Sequence, residues 1–232
     1  MLGDVLLIGD LHRKAAKEIL AHLLVDKKKK GEEYKYIVAI SGESGSGKTE
    51  LGHVLANDLK KEGIRAKLLH LDNYYKIQPL LRAEWRKTKG IESVGIEEID
   101  WKLLNKNIQD FKEGRESMIP MIDIIPEQVD KLITDFSKID VLVLDGLYAI
   151  NAEDIDMKVF IDLTYHETKM SQLIREKEIP DEFRMQVLEQ EHQNVRKLMD
   201  KANLIVNEHF EVINAKNYHP KKDNSEKENN QS

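Results

Sequence analysis

Tyr34-Lys35-Tyr36-Ile37-Val38-Ala39-Ile40 runs through Ser41 into Gly42-Glu43-Ser44-Gly45-Ser46-Gly47-Lys48-Thr49, and a helical pattern follows from Lys48 to about Lys61. A β-rich run, an octapeptide of the form G-x-x-x-x-G-K-[ST] and a helix in direct succession make one unit. The glycines permit a loop whose backbone N–H groups converge on a polyphosphate, and the helix that starts there adds the positive end of its dipole. In that arrangement Lys48 reaches the β- and γ-phosphates and the Thr49 hydroxyl ligates Mg²⁺. A chance match to this pattern in a chain of 232 residues arises about once in a hundred, before the flanking strand and helix are required. A merely flexible glycine-rich turn is therefore set aside.

Outward from this unit, Gly63 stops the helix and Ala66-Lys67-Leu68-Leu69-His70-Leu71-Asp72 reads as a second strand. Val141–Asp145, Val159–Asp162 and Ala202–Val206 read as further buried strands, with helical patterns over Asp100–Phe111 and from His166 to about Met199. Such alternation predicts an α/β fold with a mostly parallel sheet covered by helices on both faces. Ser117 to Phe136 is expected to hold a small antiparallel pair. Leu11, Ala15, Ile19, Leu20, Leu23 and Leu24 fall at helical spacing, so an amphipathic helix is expected to end before Lys27-Lys28-Lys29-Lys30. That helix is read as laid on the main domain in preference to a dimerisation element. The expected organisation is residues 1–33 as N-terminal helix and basic linker, 34–215 as the main domain, and a disordered tail from 216, where almost nothing is apolar.

Composition narrows the function. The net charge of -6 gives no general attraction to nucleic acid or anionic membranes, and the absence of cysteine excludes disulfides, thiolate nucleophiles and Cys-ligated metals. No stretch approaches the roughly 18 apolar residues of a membrane span, so a cytoplasmic protein is expected, with no nucleic-acid or membrane partner and with self-association left open. Two carboxylates stand out. In an open parallel sheet ligands bind at the carboxyl ends of the strands, and Asp72 is expected at the end of the second one. There it can take the proton of an attacking hydroxyl or hold a metal-bound water, against the simpler reading of a turn cap. Asp145 closes the run Val141–Leu144 and is the expected second metal-associated carboxylate, with Gly146 allowing a sharp exit. GTPase and transporter signatures are missing: Asn105-Lys106 is followed by Asn107-Ile108, which does not read guanine.

The loop core Ser44-Gly45-Ser46-Gly47-Lys48-Thr49, the stretch Asp72-Asn73-Tyr74-Tyr75, and Ile119-Pro120-Met121-Ile122-Asp123 resemble the uridine kinase and phosphoribulokinase family of small-molecule kinases. Val141–Leu147, Val159–Asp162 and Ala202–Val206 continue the likeness in the family's order, over about Tyr36 to Val212. The resemblance implies a three-layer, Rossmann-like P-loop fold with lid helices, and ATP with Mg²⁺ as phosphoryl donor. It also implies a hydroxyl-bearing small acceptor, Asp72 as base, and Tyr75 beside the acceptor. The segment similar to the family's lid is Leu173 to Arg184. Arg175 falls on a lid-arginine position, Arg184 is a looser match that would contact the nucleotide, and the Arg-Gly-Arg tip is missing. Arg175 paired with Glu176 or Glu178 on a solvated helix is the competing reading.

Two departures bear on the acceptor. Where uridine kinases carry an Asn-aromatic-Asp-His-Pro stretch, this chain has Glu92-Ser93-Val94-Gly95-Ile96-Glu97. The tyrosine expected against the base is Ile122, and the histidine expected after it is Glu127. The sequence thus supports a kinase more firmly than a uridine kinase. Arg82, Arg86 and Lys87 can face an anionic acceptor, but a solvated basic face is the favoured reading of those residues. A P-loop kinase of another acceptor class, such as adenylylsulfate, and a non-catalytic nucleotide switch are the alternatives.

Overall fold

The computed structural model describes residues 5–123, 128–168 and 181–220. In chain order the elements are α1 (Asp10–Lys30), β1 (Tyr36–Gly42), α2 (Lys48–Lys61), β2 (Ala66–His70), α3 (Pro79–Lys89) and α4 (Trp101–Lys112). Then come β3 (Glu116–Asp123), β4 (Gln128–Asp135), β5 (Val141–Asp145), β6 (Met157–Ile161), α5 (Glu182–Arg196), β7 (Leu204–Val206) and β8 (Val212–Asn214). The main sheet has the order β2-β5-β1-β6-β7-β8; β8 alone is antiparallel. β1 lies at its centre and is buried at every residue, as a strand covered on both faces must be.

The strand period of two divides the core. Ile37 and Ala39, with Leu142 and Leu144, face a layer that includes Leu104, Ile108 and Phe111 of α4 and Val195 of α5. Tyr36, Val38 and Ile40 face α1 and α2 through Ala15, Ile19, Leu23, Leu51 and Leu55. The N-terminal helix is thus laid on the domain, as expected, although Leu11 stays half exposed at 52%. It does not end before the lysines. Lys27 to Lys30 form its last turn, where long unbranched side chains are good helix formers and their charge complements the negative helix end, and Gly31 terminates it. The basic linker therefore shrinks to the few residues before Tyr36.

Three other expectations shift. β2 stops at His70, and Asp72 lies in a 3₁₀ turn, Leu71–Tyr74, rather than at a strand end. The reason is local: the parallel ladder ends at the His70–Asp145 pair, and the chain then folds over Gly146, where an added Cβ would stand 2.4 Å from Leu71 Cβ. Residues 165–168 form a turn and the described helix begins only at Glu182, while 169–180 fall outside the described residues. Lys216 is not the start of a structureless tail: Ala215–Asn217 is a 3₁₀ turn and the Tyr218 hydroxyl donates to Asp162 at 2.5 Å. The expected antiparallel pair is present as β3–β4, in register from Glu116–Asp135 to Asp123–Gln128. Its base is tied to α4 by the buried Asp110, which accepts from Ser117 Oγ at 2.6 Å and pairs with Lys106 and Arg115 at 2.7 Å. Among the described residues no helix is long and apolar enough to cross a membrane.

Candidate active site

Because β1, β2 and β5 run parallel, Gly42, His70 and Asp145 reach the same edge of the sheet. A cavity of about 230 Å³ opens there. Ser44, Gly45, Gly47, Lys48 and Thr49 line it from one side, and Asp72, Tyr75 and Asp145 from another. Three further members of the octapeptide lie beneath rather than along the cavity: Gly42, Glu43 and Ser46 are buried and absent from its wall. The Ser46 amide is turned to the Glu43 carbonyl at 3.2 Å. Gly47, at φ 90°, adopts the left-handed conformation that caps α2.

The Lys48 ammonium donates to the Glu43 carbonyl at 2.7 Å. Burial pulls its pKa down, and the charges of Asp72, Asp145 and Glu50 act in the opposite sense. Asp145 is buried, which by itself raises its pKa. The hydrogen bonds with His70, at 2.7 Å, and with Thr49, together with the charge of Lys48, outweigh that and hold the carboxyl below its usual range. Thr49 and Asp145 are thus in mutual contact, near enough to serve one hard cation together. Among the described residues no group of three or more His, Cys, Asp or Glu stands ready to hold a metal alone. A Mg²⁺ bound through this pair would take its remaining ligands from phosphate and water, which is how that ion is commonly held.

The far side of the cavity was poorly legible. Arg82, Arg86, Arg184, Glu191, His70, Glu50, Gly146 and Leu147 complete its lining. The solvated-face reading fails for two of the three residues it was applied to, Arg82, Arg86 and Lys87 of α3. Arg86 is 5% exposed and makes a bidentate pair with Glu98, at 2.7 and 2.8 Å, and a third contact with Glu191 at 3.2 Å. The Arg82 guanidinium lies over the Tyr75 ring, its carbon 3.6 Å from the ring centroid. Lys87 alone is exposed, 4.0 Å from Asp181. Glu98 reaches Arg86 because Tyr75 and Ile99 form an isolated antiparallel bridge that brings its segment against the Asp72 turn. Burial, with the charge of Asp72 added, pushes the Tyr75 phenol well up, so it stays a neutral donor.

The helix α5 joins both sides. Glu191 meets Arg86, and its neighbour His192 meets the buried Glu43 under the phosphate loop at 2.8 Å. Glu43 also accepts from the Tyr165 amide at 2.8 Å. Arg184 sits in the first turn of α5, capped by Asp181, with its guanidinium 4.0 Å from Glu191 at the cavity edge. Arg175 and Glu127 lie outside the described residues. Ile122, one departure from the nucleoside-binding pattern, is buried at 5%, and Val94, within the departing stretch Glu92 to Glu97, is buried at 2%.

A glycine-rich phosphate loop at the head of a parallel sheet, with carboxylates carried at the exits of β2 and β5, defines a P-loop nucleotide-binding protein of the small-kinase type. The sequence model of the Phosphoribulokinase / Uridine kinase family matches residues 37–180, and the chain belongs to that family. It is 29% identical over 181 residues to a uridine kinase of Mycoplasma pneumoniae, covering 73% of this chain and 84% of that protein. To a uridine kinase of Mycoplasma genitalium it is 32% identical over 152 residues, covering 62% and 68%. In fold it is similar to the structure of a possible uridine kinase from Bacillus stearothermophilus, at TM-score 0.55 and 17% identity over 83% of this chain and 97% of that one. It is also similar to D-glycerate 3-kinase from Cryptococcus neoformans, at TM-score 0.58 and 15% identity over 88% and 98%. The protein is accordingly an ATP-dependent phosphotransferase that acts on an alcohol group of a small metabolite.

Proposed function

We propose that this kinase moves the γ-phosphoryl group of ATP to an acceptor hydroxyl, with Asp72 as the base. The observation that carries the reading is that Asp72 shares one small cavity with Lys48 and Thr49, the donor side of the site. The acceptor oxygen forms a bond to the γ-phosphorus as the bond from that phosphorus to the β–γ bridging oxygen breaks. ADP leaves with the electron pair, and the hydroxyl proton passes to the Asp72 carboxylate. The loop amides and Lys48 hold the donor, Tyr75 orients the acceptor, and Arg184, with Arg175, offsets charge on the nucleotide. Mg²⁺ held by Thr49 and Asp145 would neutralise charge on the phosphate oxygens.

The test is ADP formation with MgATP against a panel of hydroxyl acceptors, run in parallel on Asp72→Asn. Base catalysis is worth about 10²–10⁴-fold, so that exchange lowers kcat by a hundredfold or more while the dissociation constant for ATP barely moves. Equal turnover by the variant removes Asp72 from the role. Val94 and Ile122 are buried apolar residues whose side chains offer a nucleoside no polar contact.

A further inference from the structure

Four cations line the active-site cavity, and three have an evident assignment. Lys48 belongs to the phosphate loop, Arg86 is neutralised by Glu98 and Glu191, and Arg184 stands 4.0 Å from Glu191. Arg82 differs. Among the described residues no carboxylate lies within 4.0 Å of it, although Asp72, Asp145, Glu50 and Glu191 all line the same cavity. Its Nε and Nη2 donate only to the Ile77 carbonyl, both at 3.3 Å, and Nη1 has no hydrogen bond to the described protein.

The group is also held in place. The contact with Tyr75 at 3.6 Å holds the guanidinium over the ring, and Tyr75 follows Asp72 by three residues in the same 3₁₀ turn and its exit. A planar fork of donors fixed on an aromatic face suits the oxygens of a carboxylate or phosphate. A neutral acceptor would gain little from it and would leave that charge without a counter-ion in the cavity. The cavity also holds acidic Asp72 and Glu191, so an anionic acceptor needs a cation that neither of them neutralises.

We propose that the acceptor carries an anionic group, carboxylate or phosphate, besides its reacting hydroxyl, and that Arg82 holds that group and sets the specificity of the kinase. This rests on the kinase reading above, with Asp72 at the reacting hydroxyl. Arg82 binds the end of the acceptor remote from the transfer, so its loss is felt in acceptor KM more than in the KM for ATP.

The experiment measures ADP formation by the full chain with MgATP in three arms: neutral nucleosides and polyols, hydroxy acids, and sugar phosphates. One of the two anionic arms is expected to exceed the neutral arm at least tenfold in kcat/KM, and which one does so tells carboxylate from phosphate. Arg82→Gln is expected to raise KM for that acceptor about 10- to 100-fold, the usual worth of a charge-assisted contact, with ATP KM unchanged and the thermal unfolding midpoint kept. Arg82→Lys, which keeps charge but loses the fork, falls between. Best turnover with the neutral arm, or an unchanged acceptor KM in Arg82→Gln, overturns the proposal. If no arm stimulates ADP formation, the kinase reading fails by itself, and calorimetry with a non-hydrolysable ATP analogue decides the remainder. Uptake of a hydroxy acid or sugar phosphate that Arg82→Gln abolishes supports the anion site, whereas uptake equal in both proteins, or none, overturns it.

Discussion

The two ends of the cavity are built by different means. The phosphate end comes from eight consecutive residues and from backbone, so its chemistry depends on a loop shape that glycine and a strand–helix junction impose. The acceptor end comes from side chains on α3, on the segment before α4 and on α5, and its geometry is an ion cluster: Arg86 between Glu98 and Glu191. A contiguous motif specifies a backbone site completely. A side-chain cluster is specified only once the fold has brought distant segments together, and each member has an innocent explanation when read alone.

The contrast can be broken by removing Arg86. Both its carboxylate partners are buried, at 4% and 8% side-chain exposure, and stripping one partner from a buried pair costs about 3–5 kcal/mol. Arg86→Met is therefore expected to lower the urea midpoint by that equivalent, and adding Glu98→Gln and Glu191→Gln is expected to restore most of it. If the single exchange is neutral, the cluster contributes contact rather than charge balance. A smaller effect is expected where the two ends are linked. His192→Ala leaves Glu43 beneath the phosphate loop with the Tyr165 amide as its hydrogen-bond donor, at a cost of about 1–3 kcal/mol in stability, together with a several-fold rise in KM for ATP. Loss of stability with no change in that KM would mean that the loop keeps its shape without α5.

The smallest effect tests the scaffold alone. Burial raises the Asp110 pKa, but hydrogen bonds from Lys106, Ser117 and Arg115 outweigh it and hold the carboxyl down at about 2. A carboxyl depressed in the folded state stabilises the fold above its unfolded value, near 4, and the contribution is lost as pH falls toward 2. Acid titration followed by circular dichroism is expected to show stability declining over that window. Asp110→Asn is expected to flatten the decline, and an unchanged acid limb would detach Asp110 from it.

The same contrast explains what the sequence disclosed. Strand alternation, the octapeptide, Asp72 and Asp145 were readable because period and punctuation are local properties of the chain. β8 was not, since Val212–Asn214 is three residues long and owes its pairing to β7. The lysine run read as a linker because charge density suggests solvent, although a helix end accepts positive charge readily. Arg82 and Arg86 read as a solvated face because helical spacing alone reveals nothing of a ring or carboxylates arriving from elsewhere. Glu43 read only as one more member of the nucleotide-binding loop, whereas it lies buried beneath it. It occupies a position where the motif admits any residue, and only its burial with His192 shows that the choice matters.

At Gly47 an added Cβ would stand 2.7 Å from His12 Nε2 and 3.3 Å from Phe210 Cζ, and the two rings meet edge to face at 4.7 Å. One belongs to the opening turn of α1 and the other to the bend between β7 and β8, both beyond residues 37–180. The glycine-rich loop is thus clasped by two segments nearly two hundred positions apart. Its surroundings are completed by parts of the molecule that the shared kinase pattern does not include.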